Sequence, residues 1–199
     1  MTAILKVDTI QDTAGNNIIN ESSDTITIGA SGDTIALAGT TVTGITQGIT
    51  MADQWRVTSN VYKASSSDVT ANWEQIDTNS QGIIGSSMTQ SSGIFTFPST
   101  GVYLILANMY LYPDGVRTYS GQQIKVTTDN STYNTANEEV QHTTAGLYYI
   151  SVASNILLDV TDTSNVKIKL KYTSNGGATL FGDTSVTFTG MTFIRLGDT

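Results

Sequence analysis

The 199-residue chain contains no cysteine, which removes disulfide bridges and thiolate chemistry together. Proline occurs only at Pro98 and Pro113, and histidine only at His142. Positive charge is also scarce. Nine Lys and Arg stand against 17 Asp and Glu, a net charge of −8. A nucleic-acid partner needs a basic footprint and an anionic membrane attracts basic segments, so neither is expected. No run approaches the roughly 18 apolar residues of a membrane span. Residues 1–8 lack the apolar core of a secretory signal, so synthesis in a cytoplasm is expected, with release by lysis if the protein acts outside the cell. No window shows helical periodicity.

What is abundant points to strands. The chain has 33 Thr, 20 Ser and 18 Gly, and low charge argues against a disordered tail. Its organising stretch is Gly93-Ile94-Phe95-Thr96-Phe97-Pro98-Ser99-Thr100-Gly101-Val102-Tyr103-Leu104-Ile105-Leu106. It reads as a short strand, a tight turn at Pro98 and Gly101, and a long strand, forming a central hairpin. From Val102 to Tyr112 both faces are apolar. Val102, Leu104, Leu106 and Tyr110 lie on one, and Tyr103, Ile105, Ala107, Met109 and Leu111 on the other. A strand apolar on both faces must be covered on both. One cover is expected to be a facing sheet. The other is expected to be a second subunit, set against Tyr103, Ile105, Ala107, Met109 and Leu111.

Residues 1–48 have a different texture. Asp24-Thr25-Ile26-Thr27-Ile28-Gly29 and Asp33-Thr34-Ile35-Ala36-Leu37-Ala38-Gly39 begin nine residues apart, each a brief alternating strand before a Gly turn. One such thread has too few apolar groups for its own core, so three chains wound together are expected to form a repetitive β shaft. Residues 49–54 read as a hinge, and 55–199 as a globular head. Within the head, strands are expected around Trp55–Tyr62, 122–126, 147–152, 156–160, 166–172 and 186–194, with an irregularity at Gly190. Turns every 8–12 residues or so fit a two-sheet sandwich.

No catalytic residue is assigned. No Ser sits in a nucleophile elbow, and adjacent Glu138 and Glu139 point to opposite faces of a strand. His142 and Glu138 are spaced for one helix face, but that stretch is not helical. Asp159, Asp162 and Asp183 are oxygen ligands of the kind calcium takes; they are read first as solvated turn residues, so no metal and no cofactor is expected. Lys167, Lys169 and Lys171 alternate with apolar residues. They are expected to guard an exposed strand edge, with anionic-glycan binding as the alternative. Loop aromatics Tyr119 and Tyr133, with His142, are the candidate receptor contacts.

Two resemblances add to this. Gly93-x-Phe95-x-Phe97-Pro98-x-x-Gly101-x-Tyr103, with Trp73-Glu74-Gln75-Ile76 and Val186-Thr187-Phe188-Thr189-Gly190-Met191, resembles the complement globular-head family within the tumour-necrosis-factor-like jelly rolls. The likeness runs from about Trp55 to Arg195 and implies an all-β jelly-roll head, assembled as a homotrimer. Separately, Ile4-Leu5-Lys6-Val7-Asp8-Thr9-Ile10-Gln11-Asp12 is similar to a segment in structural proteins of marine phages, and residues 1–48 resemble the shafts of phage tail and head fibres. The expected function is therefore a virion structural fibre. Its N-terminal region would join other virion proteins and its head would contact a host surface glycan or protein. The rival expectations are a non-viral trimeric surface-binding module and, further off, a glycan-degrading tailspike.

Overall fold

A computed structural model describes residues 9–11, 13–14, 17–22, 25–28, 31–32, 34, 48–143 and 149–199. The chain divides into two units, Met1–Thr46 and Gln47–Thr199. In the first, β1 (Thr9–Gln11), β2 (Asn17–Ser22) and β3 (Thr25–Ile28) form one antiparallel meander. The strand expected in the first repeat is β3. Its ladder partner is β2 of the same chain, with Ile19 opposite Ile28. Apart from Thr34, the repeat from Asp33 to Gly39 lies outside the described residues.

The second unit is all strand and loop among the described residues. Its strands are β4 (Met51–Val57), β5 (Val61–Lys63), β6 (Ser67–Asp68), β7 (Trp73–Gln75), β8 (Thr89–Ser91), β9 (Ile94–Thr96), β10 (Gly101–Pro113), β11 (Arg117–Thr127), β12 (Asn134–Thr143), β13 (Ile150–Val160), β14 (Lys167–Ser174), β15 (Ala178–Leu180) and β16 (Gly190–Gly197). They form two antiparallel sheets. The first runs β7-β4-β16-β10, with β13 on the far side of β10 and β15-β5 joined at its C-terminal end. The second runs β12-β11-β14-β9-β8, with β6 beside β14.

Alternation builds the core. On β10 the inward residues Tyr103, Ile105, Ala107, Met109 and Leu111 are buried, and they meet Ile168, Leu170 and Tyr172 of β14 in one apolar cluster. Phe95 sits at the centre, edge-on to Trp55 and Trp73 at 5.6 and 5.0 Å and beside Phe193 at 5.2 Å. Such offset ring pairs are favourable beyond the area they bury.

Several expectations are corrected here. The stretch around Pro98 is an arch between sheets, since β9 pairs in the second sheet and β10 in the first. Tyr103 fixes it, its hydroxyl donating to the Ser99 carbonyl at 2.9 Å. Gly101 at the foot has φ 141°, and a Cβ there would lie 2.5 Å from the Gly197 oxygen. The expected hinge is mostly strand. β4 begins at Met51 because Met51 and Asp53 alternate inward and pair with Arg195 and Phe193. Gly190 opens β16, and the register shift falls opposite Val102 and Tyr103 instead. The long β10 does have two apolar faces, but the set assigned to a neighbouring subunit is the inward one. Tyr103, Ile105, Met109 and Leu111 are 0% exposed within the single chain, so the opposite face of the first sheet is the uncovered one.

Candidate functional site

Directly opposed residues of antiparallel strands share a face. Following the register across the outer face of the first sheet gives one row: Ile84, Ala52, Ile194, Leu104 and Leu157. Every member is apolar. Ile84 is 49% exposed and Leu157 66%. Val102 and Leu196 extend the row toward the start of β10, and Leu106 toward its middle. Around Leu106 the next row turns polar, with Gln54, Thr192 and Asn155, and Asn108 follows on β10.

Beyond that polar band stands a ring cluster. Tyr110 is stacked between Tyr149 at 5.5 Å and Phe188 at 5.6 Å. Tyr112 and Phe181 pack around Tyr149 at 4.9 and 5.5 Å. Tyr149 is nevertheless 58% exposed. An acidic, hydroxyl-rich chain thus shows two apolar areas on one face, the kind of surface that marks association.

Ile84 owes its place to a buried polar node that the sequence reading missed. Asp53 is fully buried. It accepts from the Met88 amide at 2.7 Å, the Gln54 amide at 2.8 Å, Gln75 Nε2 at 2.8 Å and Trp55 Nε1 at 2.9 Å. Beside it the buried Arg56 donates through Nε and Nη2 to Glu74 Oε1, at 2.7 and 2.5 Å, and through Nη1 to Thr78 at 2.9 Å. These bonds tie the segment after β7 to the edge of β4, where Ile84 exchanges backbone hydrogen bonds with Ala52. The available signal was Asp53 standing two residues from Met51, on the same side of a strand.

The three loop candidates are not brought together. Tyr119 is 39% exposed on β11. His142 lies on the neighbouring β12, its Nδ1 3.4 Å from the Thr118 carbonyl. Tyr133 lies at the opposite end of the β11–β12 hairpin, its ring 4.1 Å beneath Lys169 Nζ. Burial, and then the Asp68 charge, raise the Tyr133 pKa. Of the strand expected at 147–152, residues 147 and 148 lie outside the described residues.

The loop aspartates act as local acceptors. Asp162 takes the Ser164 amide at 2.7 Å, which leads in lowering its pKa, and Asp183 takes the Ser185 amide at 2.6 Å. The lysine row does not guard an edge. β14 is an interior strand, paired with β11 on one side and with β9 and β6 on the other. The free edge of β13 is closed by other means. Asn137 and Gln141 of β12 donate to the Asn155 and Ser151 carbonyls at 3.1 and 2.8 Å.

No protein-family model and no curated protein matches the chain. Solved structures do match. The Eiger TNF of S. frugiperda superposes with a TM-score of 0.59 at 17% identity, over 76% of this chain and 96% of that one. Murine APRIL superposes at 0.54 and 17% identity, over 73% of this chain and 98% of that one. The second unit has the tumour-necrosis-factor jelly-roll fold. The expected jelly-roll head is therefore the observed one. Its uncovered face belongs to the sheet that holds both β10 and the closing strand β16.

Proposed function

We propose that this chain is a structural fibre or decoration protein of a bacteriophage particle, resident in the virion, with a homotrimeric adhesive jelly-roll head. The observation that carries the reading is the uncovered apolar row Ile84, Ala52, Ile194, Leu104 and Leu157 beside the ring cluster. A second and third copy are the occupants that a repeated, self-complementary particle component supplies. The role is mechanical and adhesive, with no catalytic step. The viral part rests on the Thr- and Gly-rich repeats of residues 1–48 and on the likeness of residues 4–12 to phage structural proteins. Attachment to other virion proteins is assigned to that region.

The test is to label purified particles with an antibody to the full chain and to pre-treat host cells with the purified protein. Labelled particles and reduced adsorption are expected. Unlabelled particles together with unchanged adsorption contradict the proposal. A second reading, a non-viral trimeric surface-binding module, draws on the fold likeness to Eiger TNF and APRIL. It expects cell binding with no particle to label.

A further inference from the structure

The outer face of the second sheet carries a group of four lysines. Lys125, Lys167, Lys169 and Lys171 all project from it. Four of the chain's nine cations therefore share one face of a protein with net charge −8. Strands stand about 4.8 Å apart and same-face neighbours about 6.8 Å apart, so this is a compact lattice of ammonium groups.

Stability does not account for it. Lys125 stands directly across from Lys169, and like charges so placed repel. Lys169 is compensated: it meets Asp68 at 2.6 Å and the Tyr133 ring at 4.1 Å. Lys167 is also held, donating to the Thr163 carbonyl at 2.7 Å and to Thr96 Oγ1 at 3.1 Å. Lys125 and Lys171 have no hydrogen bond or ion pair among the described residues. The held Lys169 thus has a free cation on two sides, Lys171 two residues along its own strand and Lys125 directly across from it. Between and beside them stand neutral polar side chains: Gln123, whose amide donates to Glu138 and accepts from the Thr135 hydroxyl, and Thr96, which accepts from Lys167. Glu138 and Asp68 flank the group and limit its net charge.

We propose that this face binds an acidic polysaccharide, with Lys125 and Lys171 meeting its carboxylate or sulfate groups and the interleaved amide and hydroxyls meeting its sugar hydroxyls. A sparse polyanion suits the site. Duplex nucleic acid, with one charge per about 1.7 Å, would be opposed by the negative remainder of the chain. The inference rests on the reading of the head as adhesive. It places contact on a sheet face of the sandwich opposite the apolar row, away from Tyr119 and His142.

The test passes the full-length chain over immobilised alginate, a carboxylated polysaccharide, with neutral dextran and duplex DNA as comparators, while light scattering reports its mass. Retention on alginate, loss of retention as salt rises, and no retention on dextran are expected. Lys125→Ser with Lys171→Ser removes no hydrogen bond or ion pair among the described residues. That double variant is expected to bind alginate about tenfold or more weakly, with the slope of log affinity against log salt lower by roughly two. A trimer that ignores alginate, equal binding by the double variant, or stronger binding to DNA overturns the inference. A monomer that binds alginate supports it while contradicting the trimer, so the two failures are distinct.

Discussion

Asp53 is a carboxylate with no surface to face, and its charge is met by four donors on three segments of chain. Removing it strands two backbone amides, an indole N–H and a carboxamide in the interior. An unsatisfied buried donor costs about 1–3 kcal/mol, so Asp53→Ala is expected to lower the unfolding free energy by roughly 3 kcal/mol or more in urea titration. A loss below about 1 kcal/mol would show that the node is not structural. Asp129 gives a pH-dependent counterpart. The Thr127 hydroxyl, then the Thr132 and Ser131 amides, donate to its carboxylate and pull its pKa from 3.8 to about 2. A depressed carboxyl pKa contributes stability that is complete above the ordinary value and disappears as pH falls through the folded one. The β11–β12 turn is therefore expected to keep its charged acceptor at pH 3, read as a carboxyl carbon NMR midpoint near 2. A midpoint near 3.8 would mean that those donors do not engage it.

At the scale of elements, β10 carries two faces with different duties. Met109→Ala empties a fully buried site and is expected to cost about 2–5 kcal/mol at any protein concentration. Leu104→Ala, on the uncovered face, is expected to act through association, so that its apparent loss of stability against the parent chain shrinks toward zero as both are diluted to monomers. Equal concentration dependence for the two variants would contradict this division of faces. The period of β10 was legible in the sequence, and so was the jelly roll that its Phe95–Tyr103 neighbourhood resembles. Which face turns inward was not, because both sets are apolar and the choice is made by residues remote in sequence, among them Phe193 and Ile168. Pro98 shows the same limit. A strand, a turn and a strand spell a hairpin and an arch alike, and only the pairing of β9 with β14 separates them. The lysine alternation was equally plain, while its place on an interior strand depended on β6 and β9 arriving beside β14.

At the scale of the molecule, the jelly-roll unit is a sandwich whose two outer faces differ in kind. One is an apolar row with a ring cluster, the other a lysine lattice among hydroxyls and amides. The proposed role assigns the first to copies of the same chain and the second to an acidic polysaccharide. Burial of Tyr103 and its neighbours moves the proposed subunit contact to Ile84, Ala52, Ile194, Leu104 and Leu157, and the proposed trimer depends on them. Its most direct test is the solution mass of the purified chain by light scattering coupled to size exclusion, beside a Leu104→Lys, Leu157→Lys double variant. The unmodified protein is expected at about three times 21.2 kDa and the variant at 21.2 kDa, both with intact strand signals in circular dichroism. A monomeric parent chain, or a variant that stays trimeric, would contradict the claim that this face joins the subunits.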